Sequence, residues 1–224
     1  MRTRWDDVKP GRYANPNSKG VFIMACSPVG QEDRRRNQFE KICTMNSLAN
    51  AIAEKFYGSS LVTKMDDSCG VIPTGSFEAV IDLSRAHQHL TELMNIAELR
   101  FACAVTTVLN TAETTLSQVE ALVRAAGEKQ AAPVGAEPEE IYAWFLLHYL
   151  DGMPCDHTKD LISMDADAVI WDKADDCHAA HWEAVYGDYA IYEKLLLSYA
   201  EGMLSGAGYV LAIQDHRRFT IRRS

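Results

Sequence analysis

No stretch of the chain approaches the roughly 20 consecutive apolar residues that a membrane-spanning helix needs, so no such helix is expected. The start, Met1-Arg2-Thr3-Arg4-Trp5-Asp6, is polar and lacks the apolar stretch of a secretory leader, which points to the cytoplasm. Positive charge is also short: 22 Lys and Arg against 31 Asp and Glu leave a formal charge of −9. Affinity for nucleic acid depends on Lys and Arg neutralising backbone phosphates, so extended nucleic-acid binding is not expected. Two local basic clusters remain, Arg34-Arg35-Arg36 and the C-terminal Arg217, Arg218, Arg222 and Arg223, and the ordinary fate of such runs is a solvated face or an ion pair. Six cysteines in 224 residues are too sparse for a secreted disulfide framework. They read as buried thiols or metal ligands, with Cys26, Cys43 and Cys103 in apolar segments and hence in the core. There is no internal repeat and no low-complexity tract.

What is present is an ordinary globular composition, 47% hydrophobic and 24% charged, enough for one large or two small domains. Residues 1–19 read as an irregular lead-in, rich in Pro, Asn, Ser and Gly from Gly11 onward. Val21-Phe22-Ile23-Met24-Ala25-Cys26 is a continuous apolar run, as in a strand covered on both faces. From Glu32 to Tyr57, Phe39, Ile42, Cys43, Met45, Leu48, Ala49, Ile52, Ala53 and Phe56 recur at helical spacing, and Gly58 supplies a stop. Ser60 to Met65 then reads as a strand, with Asp66-Asp67-Ser68-Cys69-Gly70 as turn chemistry. Either Gly70-Val71-Ile72-Pro73 or the Phe77 to Leu83 run supplies a third strand, with Pro73 favouring an edge. Ser84 to Asn95 reads as a serine-capped helix, Leu99 to Val108 as a central strand, and Thr111 to Ala126 as another amphipathic helix.

This order predicts an α+β fold, an α/β sandwich with a ferredoxin-like palm over residues 20–128. Residues 129–137, holding Pro133 and Gly135, read as a linker. Residues 138–224 then form a mainly helical part, beginning at Pro138 and ending in a hairpin of Tyr209–Ile213 and Arg218–Arg222.

The run Leu61 to Asp67, then Gly70-Val71-Ile72, a helix, Leu99 to Val108 and the helix after Thr111-Ala112-Glu113-Thr114 resembles the palm of the nucleotidyl-cyclase superfamily, in the layout of GTP cyclohydrolase III, diguanylate cyclases and minimal CRISPR polymerases. The resemblance implies that Asp66 and Asp67 hold Mg²⁺ or Mn²⁺ against a nucleotide, with Arg34, Arg35 and Arg36 near its phosphates. The expected first strand, by contrast, carries no acid before Glu32 and Asp33, and Lys64-Met65 stands where glycine would let a nucleotide approach. Degenerate or absent catalysis is the consequence.

A second candidate site lies in Cys155-Asp156-His157 and Asp176-Cys177-His178-Ala179-Ala180-His181. Cys and His are preferred zinc ligands, and Cys155, His157, Cys177 and His181 could close a structural Zn²⁺ site; ordinary isolated side chains are the alternative. On a continuous helix, Cys177 and His181 share a face while His178 points away. Cys155 with His157, oriented by Asp156 or Asp160, or Cys177 with His178, could form a thiol–imidazole pair, though neighbours in sequence need not be poised in space. Asp165, Asp167, Asp172, Asp175 and Asp176 read as a solvated acidic face, and His87 and His89 as surface residues. Trp171, Trp182, Tyr186, Tyr189, Tyr192 and Tyr199 form an aromatic stripe, packed in a core or presented to a partner or a second copy. Two function classes follow. One is a nucleotide-binding palm. The other is a non-enzymatic interaction protein, a bacterial or phage regulator or inhibitor acting as a homodimer or on a protein partner.

Overall fold

The computed structural model describes residues 30–111 and 113–224. Its first half is helical. Helix α1, Gln31–Phe56, buries Phe39, Ile42, Ala49, Ile52 and Ala53 along one face, as the periodicity predicts. Helix α2 spans Ser59–Cys69, α3 is a single turn at Phe77–Val80, and a 3₁₀ turn at Leu83–Arg85 leads into α4, Ala86–Leu109. Helix α5 follows at Leu116–Glu128, where Gln118 Oε1 accepts from the Thr115 backbone N–H at 2.8 Å and closes the helix start.

Here the structure corrects the sequence reading. The expected strand at Ser60–Met65 lies in α2, which buries Leu61 and Met65, an i, i+4 pair that also fits a short apolar run. Asp66 and Asp67 therefore sit on a helix and not in a turn. Gly70–Pro73 is loop, and Phe77–Leu83 holds one helical turn. The expected helix from Ser84 and strand at Leu99–Val108 are one helix, α4. Nothing between Asn95 and Glu98 breaks helical geometry, and a helix enclosed by neighbours is apolar on several faces, which mimics a buried strand. Among the described residues up to 128 there is no strand, so the ferredoxin-like sheet is not seen there. The Val21–Cys26 run, Cys26 and Ala112 lie outside the described residues.

The sheet belongs to the second half. After α6, Pro138–His148, strand β1 (Lys159–Met164) and β2 (Ala168–Lys173) form a hairpin. Helices α7 (Ala179–Ala184) and α8 (Tyr189–Leu204) follow, then β3 (Tyr209–Gln214) and β4 (Arg218–Arg223), the expected C-terminal hairpin. All pairings are antiparallel, in the order β1-β2-β4-β3. The β1–β2 hairpin escaped the sequence reading. Its turn is made by Asp165, whose Oδ1 accepts from the N–H groups of Asp167 (2.9 Å) and Ala168 (3.0 Å). At the β3–β4 turn, Asp215 and His216 adopt φ of 52° and 54°, a region that Asp and His tolerate better than most residues.

The fold is α+β with a small antiparallel sheet, and the larger of its two apolar clusters draws on both halves. Phe101 of α4 meets Trp182 of α7 edge-on with ring centroids 6.3 Å apart, while Val119, Val123, Phe145, Val169 and Met203 bury in the same cluster. Residues 129–137 are stitched into it. Ala132 N–H donates to Met203 O, and Tyr209 Oη to Ala136 O, both at 2.8 Å. Helices α5 and α8 touch through glycines: a Cβ on Gly127 would lie 2.1 Å from Tyr199 O, and one on Gly202 2.1 Å from Arg124 O. Among the described residues, no helix is long and apolar enough to cross a membrane.

Candidate metal centre

Four segments converge on a buried polar cluster. Helix α4 contributes Glu98, on the face that otherwise buries Met94, Ala97 and Phe101. The loop after α6 contributes Tyr149 and Asp151, and it is held by α1: Asn37 Nδ2 donates to Leu147 O and Gln38 Nε2 to Gly152 O, each at 2.9 Å. The loop between β2 and α7 contributes Cys177 and His178. It is shaped by Asp176, whose Oδ1 accepts from the N–H groups of His178 (2.9 Å) and Ala179 (3.0 Å) and so starts α7 only after the Cys-His pair. Helix α8 contributes Tyr192.

His178 is almost wholly buried and is the hub. Its Nδ1 lies 3.0 Å from Glu98 Oε1. Around Nε2 stand Tyr192 Oη at 2.9 Å, Tyr149 Oη at 3.2 Å, Asp151 Oδ1 at 3.4 Å and Cys177 Sγ at 3.4 Å. The Cys177 thiol in turn lies 3.5 Å from Asp151 Oδ1, and the two tyrosine hydroxyls are 2.8 Å apart. Lys159 pairs with the other Asp151 oxygen. Next to the cluster is a cavity of about 20 Å³ bordered by Tyr149, Asp151, Lys173, His178, Tyr192 and Glu193. That is room for about one water.

The electrostatics follow from this enclosure. Burial alone would discharge His178, but the Glu98 carboxylate and the hydrogen bond to Asp151 hold its imidazole protonated well above the ordinary range. Burial likewise opposes the Asp151 charge, yet the His178 hydrogen bond and the Lys159 ammonium keep that carboxyl far below its usual range. Burial pushes the Cys177 thiol up.

Two chemistries are open to such atoms. Sγ, Nε2, Nδ1 and Oε1 form a thiol–imidazole–carboxylate chain, but an upshifted, half-buried thiol is the opposite of an activated nucleophile. The other is metal ligation. Asp151, Cys177 and His178 each offer one donor atom, all within 4.8 Å of one another, the group with this property among the described residues. His178 also carries the carboxylate on its far nitrogen that metal-bound histidines generally have.

Of the zinc ligands expected from sequence, only Cys177 belongs to this group. Cys155 is exposed, and exposed His157 pairs with Asp160 at 2.8 Å. His181 lies in α7, outside the cluster. The helical-phase argument that set His178 aside does not apply, because the helix starts at Ala179. Asp151 and Glu98 were missed. A charge in the apolar frame Met94, Ala97, Glu98, Phe101 is a signal of a buried partner once 86–109 is read as one helix.

The remaining expected residues lie elsewhere. Asp66 Oδ1 accepts from the buried Arg100 at 2.6 Å, and Arg100 also donates to Asn46, Asn50 and Gly70 O, so this carboxylate already balances a cation. Asp67 is exposed. Arg34 and Arg35 lie in the first turns of α1, and Arg36 pairs with Glu32 and Glu78. Of the C-terminal arginines, Arg217 and Arg218 face Asp172, and Arg223 meets Glu137. Within the aromatic stripe, Trp171, Trp182, Tyr192 and Tyr199 are core, whereas Tyr186 is 97% exposed.

Comparison with protein-family models, curated proteins and solved structures finds no match for this chain.

Proposed function

We propose that Asp151, Cys177 and His178 bind one zinc ion and that the chain is a zinc-binding protein with an open fourth coordination position. The observation that carries this reading is the nearly equilateral donor triangle, with edges of 3.4, 3.4 and 3.5 Å. Tetrahedral zinc with bonds of about 2.0–2.2 Å to N and O and about 2.3 Å to S separates its ligands by roughly 3.3–3.6 Å, so one ion would span all three donors, displacing to solvent the proton on His178 Nε2 and that of the Cys177 thiol. Thiolate, imidazole and carboxylate together suit zinc better than calcium or magnesium, which take oxygen ligands. Three protein ligands leave room for a water, and a cavity of about 20 Å³ beside Asp151 and His178 has space for it. Zinc supplies an acidified water when so bound. Glu98 would orient the imidazole, and the tyrosine hydroxyls would face the polar side of the site. The cavity is too small for a substrate larger than water, which favours a structural or sensing ion over a turnover site.

The test is metal content and cobalt spectroscopy. Protein titrated with zinc and desalted should retain about one equivalent by mass spectrometry, and the cobalt form should show a thiolate charge-transfer band. Cys177→Ser and Asp151→Asn should lose the metal, whereas Cys155→Ser and His181→Ala should keep it. Zinc retained at full stoichiometry in Cys177→Ser would sink the assignment.

A further inference from the structure

The C-terminal end of α2 is clasped to the middle of α4 by one buried arginine. Arg100 donates to Asp66 Oδ1 at 2.6 Å and to Gly70 O at 2.7 Å, so the last turn of α2 and the residue after it are both fixed against α4. The approach is close. A Cβ on Gly70, whose φ is 98°, would lie 3.3 Å from Ile96 Cδ1. Cys69 stands inside this clasp, between Asp66 and Gly70, and Cys103 stands three residues beyond Arg100 on α4, on the same side of that helix. The two side chains are therefore brought into hydrogen-bonding contact. Cys103, expected in the core, is only half-buried, and so is Cys69.

Two facing thiols are open to metal binding or to oxidation. For a metal they lack company, because Asp66 is engaged by Arg100 and the pair belongs to no close group of three ligands among the described residues. Oxidation needs only the pair. We infer that Cys69 and Cys103 form a reversible disulfide that staples α2 to α4, made by exchange with a low-molecular-weight disulfide. Burial pushes the Cys103 thiol up, with Cys69 adding to the rise, so Cys69, at the end of α2 beside exposed Ser68, is the sulfur that attacks first. Its thiolate displaces one thiolate from the small disulfide and forms a mixed disulfide. Cys103 then gives its proton to solvent and attacks the Cys69 sulfur, releasing the second small thiolate. The two cysteines lose two electrons and two protons, and the small disulfide becomes two thiols. Arg100 already holds the two backbones together, so the step asks mainly for side-chain rotation. The inference goes beyond zinc binding and does not depend on it, since neither thiol is one of the three metal ligands.

Incubation of the full chain in glutathione buffers of increasing oxidised fraction, followed by alkylation and peptide mapping by mass spectrometry, tests it. The parent chain should yield a linked peptide joining Cys69 to Cys103, two hydrogens lighter than its parts and lost again in dithiothreitol. Cys103→Ser should instead stop at glutathione on Cys69, and Cys155→Ser should form the bridge as the parent does. Closing the loop constrains the unfolded chain, so the bridged form should melt about 5 °C or more above the reduced form, with no such rise in the double variant Cys69→Ser, Cys103→Ser. Chelator-treated and zinc-loaded protein should give the same linked peptide, which separates this inference from the metal site. Absence of the linked peptide in fully oxidised buffer, its appearance only in urea, or pairing of either sulfur with Cys155 in its place overturns the assignment, and the parent chain alone supplies each of these results.

Discussion

One buried charge and one half-buried charge show how far single residues determine this molecule. Glu98 is 1% exposed and faces only the His178 imidazole through Oε1, while its Oε2 has no partner. Removing one member of a buried pair strands the other, at a cost of about 3–5 kcal/mol. His178→Ala should accordingly lower stability by that amount in urea titration. Glu98→Gln, which still offers an acceptor to Nδ1–H, should fold but bind zinc roughly 10–100-fold more weakly, the usual effect of removing a carboxylate behind a metal-bound histidine. Unaltered zinc affinity in Glu98→Gln would show that the carboxylate serves packing alone. Lys41 is the second case. Burial first, then the charge of Lys159, lowers its pKa from 10.5 to about 8, with Asp151 opposing. Below pH 8 both folded and unfolded chains hold the proton, and the folded state carries the full cost of the partly desolvated ammonium. Between pH 8 and 10.5 the unfolded chain holds more protons than the folded one, so that cost fades as pH rises. Lys41→Met should therefore be more stable than the parent at pH 7, and its advantage should shrink by pH 10; an advantage that grows with pH would contradict the assignment. Glu98 could not be read from sequence as buried, because a lone charge in an apolar period is visible only after the period is assigned.

At the level of elements, α5 and α8 approach closely. Gly127 and Gly202 each abut the backbone of the opposite helix, with 2.1 Å between a hypothetical Cβ and a carbonyl oxygen. Backbone has less freedom to yield than a side chain, so Gly127→Ala or Gly202→Ala should each cost about 1–3 kcal/mol or more through overpacking, despite the better helix propensity of alanine. A shift of the urea midpoint to higher concentration in either variant would rule out this contact. The same elements show where the sequence was legible. Helices α1 and α5 follow from apolar periodicity, α6 from Pro138 at its start ahead of a run apolar almost all round, and the C-terminal hairpin from its two apolar strands. Helices α2 and α4 were mistaken for strands in part. In α4, Ala102, Ala104, Val105 and Val108 are all fully buried, and an enclosed helix loses the polar face by which it is recognised. The β1–β2 hairpin was missed because its turn, Asp165-Ala166-Asp167, was read as a solvated acidic run. That misreading also hid Lys159, the strand residue that anchors Asp151.

Across the whole molecule, residues 129–137, which read from sequence as a linker, pack against both halves. Ala132 and Ala136 are buried, and Trp144 Nε1 donates to Gln130 O at 3.0 Å. The apolar cluster runs without interruption from Ala49 of α1 through Phe101 and Val123 to Trp182, Met203 and Ile221. The proposed metal site spans the same seam, for Glu98 stands 80 residues before His178 in sequence and in contact with it in space. A unit whose larger apolar cluster and polar hub both span the two halves should unfold in a single cooperative step. Residues 138–224 expressed alone should fail to give a cooperative melt, since Trp182 would lose Phe101 and Gly202 would lose the α5 backbone. Zinc bound only by the folded state at 100 times its dissociation constant adds about 2.7 kcal/mol. For a chain of this size that corresponds to a rise in Tm of about 5–11 °C, applied to the entire transition rather than to a C-terminal portion of it. Calorimetry with zinc and with chelator decides the matter: one peak that moves as a whole supports the shared hub, whereas two peaks, of which zinc moves only the later or the earlier, would show that the halves fold apart and that the metal serves one of them.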